Sequence, residues 1–352
     1  MYSNLRVVAA ILAVLPSVRV AAAPIELELA TERGVQITAP REWLQLLTAV
    51  GIDNVQIRGI RAGDEPRVEN RGSAERPRYH VVGILTSRHQ LRLPGGTFSR
   101  NDRAKLRDYF ERLTADGAES LTAPRGRFGL AEKEMTAVLA DLAQPIEFPT
   151  KGQPVRDVME RMQAKFIARF ALDAKAAHAL RNADPCRDEL KGLTAGTGMA
   201  ILLRSNSLAL RPEKSRGQPV AYRIEPIVAE AIDKGTIGKV DDDDMKFWPI
   251  GWEPHETPGE LAPTLFEYRN AEVSGFTLEE TLAAIGQRVK TPIYVDHAAL
   301  AEHRIDPAKI EVRLARTRTI YKRVIDRVLA QAMLGSQIRV DEAGTPFLWI
   351  TR

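Results

Sequence analysis

The chain has little of several residue types and patterns that mark special protein classes. One cysteine in 352 residues excludes an internal disulfide framework, because a disulfide needs two thiols. Aromatic residues make up only 6% of the chain, and no apolar run reaches the roughly 20 residues of a membrane-spanning helix. The whole chain is 44% hydrophobic and 27% charged, close to the globular average. The composition therefore excludes a wholly disordered or collagen-like protein, and the short apolar runs argue against an integral membrane protein.

The N-terminal residues have the pattern of a signal peptide. A basic start is followed by an apolar stretch from Val7 to Val18 and by a small-residue exit that ends at Ala23. The alternative is a buried N-terminal strand or helix. We interpret residues 1–23 as a signal peptide. This interpretation predicts an exported protein, periplasmic or secreted. Export and a formal net charge of only +4 make nucleic acid an unexpected partner.

The sequence also lacks the common catalytic motifs. It contains no G-x-S-x-G, H-E-x-x-H, C-x-x-C or G-x-x-x-x-G-K-[ST] pattern. The glycine-rich run from Gly192 to Gly198 has no following lysine, so we interpret it as a flexible end before a strand, not a phosphate loop. Cys186 has no histidine-paired signature and is interpreted as a small, half-buried residue. We therefore expect no cofactor, no catalytic residue and no enzymatic activity.

Two segments rich in acidic residues or histidine contain side chains that could bind a metal ion. His297 and His303 stand beside Asp296 and Glu302, but a separation of six positions does not place both imidazoles on one helical face. We favour the interpretation that Asp296 caps a short helix. The run Asp241 to Asp244 lacks the interleaved ligands and closing glutamate of a calcium loop, which favours a solvated acidic loop. No metal is expected.

An acidic segment with several prolines and glycines, residues 217–264, divides the chain. It contains Trp248 and Trp252 and is typical of a connector that packs partly on its neighbours. Before it, residues 24–144 alternate short strands and amphipathic helices, which predicts a separate α+β domain. The clearest elements there are a strand at 25–29 and a helix at 101–113.

Residues 145–216 and 265–352 carry one pattern twice. A shift of 123 positions, which places Val155 on Leu278, aligns a helix-like apolar spacing and a short strand that ends at Asp173 or Asp296. Each copy then ends in a hairpin pattern. In the first copy the hairpin strands are predicted at 201–203 and 208–210, and in the second at 338–340 and 347–350.

The second copy has the more complete pattern of predicted helices and strands. Thr277 and Glu280 have the spacing of a capping box at the start of a helix. The alternation from Ile310 to Leu314 predicts a strand, and the apolar spacing from Ile320 to Leu329 predicts a second amphipathic helix. The predicted fold class is α+β, with small βαββα-like modules repeated twice after the N-terminal domain.

The second copy resembles the secretin and TonB short N-terminal (STN) domain. The segments that carry the resemblance are Phe276 to Leu282, Pro292 to Asp296, Val312 to Leu314, Val328 to Leu329 and Trp349 to Ile350. Residues 145–216 look like a degenerate copy. The resemblance implies a module of the bacterial cell envelope that recognises other proteins or builds rings and does not catalyse. Since no β-barrel, plug or secretin core is seen, pore formation and receptor transport are not carried over.

Two groups of residues are candidates for an interaction surface. The densest basic region consists of Arg313, Arg316, Arg318, Lys322, Arg323 and Arg327. It could dock an acidic partner or an anionic polymer of the envelope, although a plain solvated helix face or a contact with the acidic connector would also explain it. The second group is Trp248 with Trp252. The leading hypothesis is an exported, non-enzymatic protein of the cell envelope that acts in protein–protein interaction, with an envelope protein as its partner, or in envelope assembly. The alternative is a secreted hydrolase or polysaccharide-binding protein that uses the N-terminal domain and the connector, whose two tryptophans would stack on sugars.

Overall fold

The computed structural model describes residues 24–73, 75–227 and 245–352. The predicted signal peptide and the run Asp241–Asp244 lie outside these residues. The described residues form both helices and strands, and the strands are arranged in several small sheets. This arrangement confirms the α+β class. The chain divides into two compact units, Met1–Ala123 and Pro124–Arg352.

The first unit is a mixed sheet with its helices. Its elements are β1 (Ile25–Thr31), α1 (Ala39–Ala49), β2 (Val55–Gly59), β3 (Arg67–Asn70), β4 (Tyr79–Leu85), β5 (Leu91–Leu93), β6 (Gly96–Phe98), α2 (Arg103–Asp116) and α3 (Glu119–Thr122). Strand β1 is parallel to both β2 and β4, and the sheet order is β2-β1-β4-β5-β6 with β3 also paired to β4. Trp43 and Tyr109 are fully buried in the core of this unit, and the strand and helix expected at 25–29 and 101–113 are confirmed.

Helix α4 (Glu132–Leu142) belongs to the second unit, although the sequence analysis placed it in the N-terminal domain of residues 24–144. Its Leu142 is buried in the same core as Tyr222. Its Asp141 is also buried, and its carboxylate accepts hydrogen bonds from the Ile167 N–H at 2.9 Å and the Tyr222 hydroxyl at 2.9 Å. Because burial and these contacts join α4 to the following residues, the boundary between the units lies between residues 123 and 124.

The second unit contains two similar modules. The first module is residues 144–226, and its elements are α5 (Val155–Gln163), β7 (Arg169–Leu172), α6 (Ala174–Arg181), α7 (Ala195–Arg204), β8 (Leu208–Lys214) and β9 (Val220–Pro226). The second module is residues 268–351, after the short helix α8 (Pro258–Leu261). Its elements are β10 (Tyr268–Thr277), α9 (Leu278–Gly286), β11 (Ile293–Val295), α10 (His297–Glu302), β12 (Glu311–Ile320), α11 (Tyr321–Ala330), β13 (Gly335–Val340) and β14 (Pro346–Thr351).

The two modules share an element order and a sheet topology. Each has a three-stranded sheet in which the first strand is parallel to the last, and the last two strands form a hairpin. In each, an aspartate caps the helix after the first strand: Asp173 accepts from the Ala176 N–H at 2.7 Å, and Asp296 accepts from the Ala299 N–H at 3.0 Å. These residues are the two aspartates that the 123-residue shift aligned.

The modules differ in a second, two-stranded sheet. In the second module this sheet is the long antiparallel pair β10–β12. At the equivalent place in the first module, only a short ladder is present, with the Ile146 N–H bonded to the Leu193 carbonyl at 2.8 Å and the Gly192 N–H bonded to the Ile146 carbonyl at 2.9 Å. The second module therefore has an open sheet face that the first module lacks.

Two local predictions in the first module are wrong. The predicted strand 201–203 lies in the last turn of α7, and residues 195–198 of the glycine-rich run form the first turn of this helix. All ten residues of α7 are buried, and a helix buried on every side shows no apolar periodicity in its sequence. The hairpin of this module is therefore β8 with β9, and residues 220–226 belong to its sheet rather than to the predicted connector.

Gly251 provides a test of the packing in the second unit. It has φ +67°, and a Cβ added there would lie 2.5 Å from Cζ of buried Phe347 and 2.9 Å from the Val340 carbonyl oxygen. We expect Gly251→Ala to lower the free energy of unfolding by about 2–4 kcal/mol, because backbone strain and overpacking add. Urea unfolding measures this loss. Gly344→Ala is the matched control, since Gly344 has φ +82° and open space around its Cβ position. Equal losses in the two variants would contradict the expected clash.

Candidate interaction surface

A buried ion pair joins the two modules. Arg204, the last residue of α7, donates from Nε to both carboxylate oxygens of Asp296 at 3.2 and 3.1 Å, and its Nη2 lies 3.1 Å from Oδ2. Asp296 is 2% exposed and Arg204 is 8% exposed. The same carboxylate also accepts from the Thr351 hydroxyl at 3.1 Å and caps α10. The carboxylate is therefore fully hydrogen-bonded, which a buried charge requires.

The turn between β13 and β14 of the second module caps helix α7 of the first. Asp341 accepts a hydrogen bond from the Thr194 N–H at 3.0 Å. Glu342 accepts from the N–H and the hydroxyl of Thr197 at 3.1 and 3.0 Å, and also from the Thr194 hydroxyl. Free N–H groups at a helix N-terminus favour negative charge, so this turn satisfies the start of α7. A Cβ at Gly196 would lie 2.6 Å from Glu342 Oε1, which explains the glycine at this position.

Residues 245–252 run along the junction between the modules, and their tryptophans do not form an open surface. Trp248 is 3% exposed, and its indole N–H donates to Glu342 at 2.5 Å. Its ring stacks on Phe128 at 5.9 Å and meets Trp252 edge-on at 5.4 Å. Trp252 is half-buried and forms a backbone bridge with Val340. The prediction that Trp248 belongs to an interaction surface is wrong, because both its ring and its N–H are occupied within the fold.

The three arginines of β12 lie together because of a β-bulge. Relative to β10, strand β12 has one extra residue between Leu314 and Thr317, and a bulge reverses the side to which successive residues point. Before the bulge the even-numbered Val312 is buried, whereas after it the odd-numbered Thr319 is buried. The exposed residues on the outer side of this sheet therefore include Arg313, Arg316 and Arg318. We call these three residues the arginine face.

The other three basic candidates lie on α11 instead of this face. Lys322 is paired with Asp326 at 2.6 Å, and that carboxylate also accepts from the Ser336 hydroxyl. Arg323 and Arg327 are exposed and four residues apart, so they share one side of the helix. The predicted basic region is thus divided between an exposed sheet face and a helix face. Lys322 belongs to neither, because it is paired with Asp326 within the module.

The arginine face carries three positive charges and has two exposed carboxylates beside it. Among the described residues, Arg316 and Arg318 form no ion pair, and Arg313 reaches only Glu311, at 3.8 Å with both side chains exposed. An exposed pair at that distance contributes about 0–1 kcal/mol. The second carboxylate, Glu272 of β10, is exposed next to buried Val273, so it lies on the outer side of the sheet, opposite the bulge. Across the sheet, Asn270 lies opposite Arg318, and Tyr268, which is 65% exposed, lies opposite Ile320. Sequence analysis missed Tyr268 and Asn270, because their place beside the arginines depends on the strand register.

A cleft in the second unit places Cys186 and His297 near one another. Its volume is about 650 Å³, and apolar residues of the second module, such as Leu282 and Ile305, line it. The Cys186 thiol is buried, which raises its pKa, and it donates to the Asp188 carbonyl at 3.2 Å. His297 Nε2 lies 3.2 Å from the Asp188 carboxylate. Burial and a raised pKa both make a thiol a weaker nucleophile.

Within residues 24–73, 75–227 and 245–352, no group of three or more His, Cys, Asp or Glu side chains is placed to hold a metal ion. None of the described helices combines the length and the apolar character needed to cross a membrane. Comparison of the chain with protein-family models, with curated proteins and with solved structures found no match.

Proposed function

We propose that this chain is an exported, non-enzymatic protein of the bacterial cell envelope that binds another protein through its second module. The observation that carries the proposal is the open β10–β12 sheet. Among the described residues only the second module has this two-stranded sheet, and its exposed outer face carries three arginines against the two carboxylates of Glu272 and Glu311. The first module, by contrast, is held to the second by the buried Arg204–Asp296 pair and by Glu342. The first module therefore supports the second, whose sheet is left available for a partner.

The resemblance to the STN domain supports the same proposal. In the second module a strand, β10, leads directly into a capped, leucine-containing helix, α9, and the following strand ends at Asp296. This order follows the pattern on which the resemblance was based. In that family, such modules recognise proteins rather than catalyse, and the signal-peptide pattern at residues 1–23 agrees with an envelope location.

The alternative of a polysaccharide-binding protein or hydrolase has lost its main support. Stacking on a sugar needs an accessible aromatic face, whereas Phe128 and Trp252 cover Trp248. The nearest carboxylate, Glu342, is bonded to the Trp248 indole and to the start of α7. These contacts give both groups a structural role.

Site-specific photocrosslinking in cells tests the proposed function. A photoreactive phenylalanine analogue would replace Ala315, an exposed residue of β12, in the full chain with its own N-terminus. We expect a defined crosslinked protein in the periplasmic fraction after osmotic shock, and we expect that protein, once purified, to bind this chain in return. The same analogue at Lys175, an exposed residue of α6, is the matched control. A chain that stays in the cytoplasm, or equal crosslinking at both positions, would contradict the proposal.

A further inference from the structure

Resting on the proposed function, we propose that the arginine face binds an acidic protein segment in an extended conformation, with carboxylates at alternate positions. The backbone conformation of β12 brings the three arginines to one face, and their spacing in the sequence alone would not. Arg316 and Arg318 have the same parity as buried Val312 and Leu314, and a regular strand would turn all four to the same side. The bulge after Leu314 turns the two arginines outward, beside Arg313.

A second register shift keeps the two strands paired after this bulge. Strand β10 has one extra residue between Val273 and Phe276, within which Gly275 has φ +74°. A glycine adopts this left-handed conformation without the strain that a side chain would cause. The ladder therefore continues at Phe276 and Val312, and the sheet holds the three guanidinium groups on one surface.

The spacing of the arginines favours an extended polypeptide as the ligand. Arg316 and Arg318 are two residues apart in the strand and therefore about 7 Å apart, since each residue rises about 3.4 Å, whereas Arg313 lies three positions before Arg316, across the bulge. An extended segment with an acidic residue at every second position presents carboxylates at the same interval. The guanidinium group of arginine donates two parallel hydrogen bonds to a carboxylate, so each arginine can bind one acidic side chain.

The surroundings of the face also favour a protein segment over a membrane. Tyr268 and Ile320 lie opposite one another at the Arg318 end of the sheet and offer an apolar contact for a neighbouring side chain. At the other end, the Gln331 side chain accepts from the Arg313 N–H at 3.0 Å and donates to its carbonyl at 2.9 Å. Because Gln331 is bonded to the backbone N–H and carbonyl of Arg313, an added strand could not pair with β12 at this point. The segment is therefore expected to lie on the outer face of the sheet.

The inference can be tested with two labelled peptides of equal length and composition. One alternates glutamate and threonine, and the other carries the glutamates in adjacent pairs. Fluorescence anisotropy would measure their binding to the mature chain in 0.05 M and 0.15 M salt. We expect the alternating peptide to bind about fivefold or more tightly than the paired one, and the affinity to fall with salt because the contacts are charged.

Two arginine-to-serine variants, one on the arginine face and one on α11, locate the binding. We expect R313S/R316S/R318S to weaken binding of the alternating peptide about tenfold, because it removes all three guanidinium contacts. The control R323S/R327S removes two arginines from the exposed side of α11 and should change the affinity less than about twofold. Circular dichroism would establish that both variants are folded.

Three outcomes would overturn the inference. They are equal affinity for the two peptides, equal losses in the two variants, and binding to phosphatidylglycerol vesicles through the arginine face while neither peptide binds. The last outcome would assign the face to a lipid surface. If the partner captured by crosslinking at Ala315 still binds R313S/R316S/R318S at full affinity, the proposed function stands and the acidic-segment inference fails.

Discussion

Replacing Arg204 by methionine is expected to lower the free energy of unfolding by about 3–5 kcal/mol, because the Asp296 carboxylate would remain buried without its counter-charge. Asp296 is 2% exposed and would keep only the Ala299 N–H and the Thr351 hydroxyl as hydrogen-bond donors. Methionine fills much of the space of the arginine stem, so the loss reports mainly on charge. Urea unfolding followed by circular dichroism measures the change.

The repeat provides an internal control for this prediction. Asp296→Asn removes the charge at the module junction, whereas Asp173→Asn makes the same change at the equivalent, half-buried helix cap of the first module, where no arginine of the described residues is hydrogen-bonded to the carboxylate. The cap alone is worth about 0.5–2 kcal/mol. We expect the double variant R204M/D296N to be at least about 1 kcal/mol more stable than the sum of its single losses predicts. Equal losses for the two asparagine variants, with additive behaviour in the double variant, would show that the ion pair adds nothing to the cap.

The elements that sequence analysis predicted well are those with one buried side. Helix α11 buries Val324, Ile325, Val328 and Leu329, and this spacing is visible in the sequence. The capping box at Thr277 and Glu280 is also local, and the structure confirms it with a Glu280 N–H to Thr277 hydroxyl bond at 3.2 Å. Local chemistry of this kind needs no knowledge of the rest of the fold.

The elements that sequence analysis missed depend on contacts between distant residues. Helix α7 is buried on all sides by both modules, so its sequence has no polar side to mark a helix. The partner of Arg204 is 92 residues away, and the Glu342 cap lies 145 residues from Thr197. The arginine face was only half predicted, because the spacing identified basic residues but a bulge decides which of them point outward. Propensity and periodicity carry no information on either kind of feature.

Replacing Glu342 by alanine is expected to lower the free energy of unfolding by about 2–4 kcal/mol. The substitution leaves the Trp248 indole N–H and the Thr197 N–H without their acceptor, and each buried unsatisfied donor costs about 1–3 kcal/mol. It also removes the negative charge at the start of α7, where the helix dipole favours it. Urea unfolding gives the loss of stability, and a red shift of tryptophan emission is expected because water would reach the Trp248 indole.

Two variants separate the contribution of Glu342 from a general effect of lost charge. Glu311→Ala removes an exposed carboxylate from the same module and should change the stability by no more than about 0.5 kcal/mol. Glu342→Gln keeps the size of the side chain but offers one acceptor oxygen instead of two, so it can satisfy either Trp248 or Thr197 and should fall between the wild type and Glu342→Ala. If Glu342→Ala were as stable as Glu311→Ala, with unchanged tryptophan emission, the Glu342 carboxylate would not cap α7 in solution.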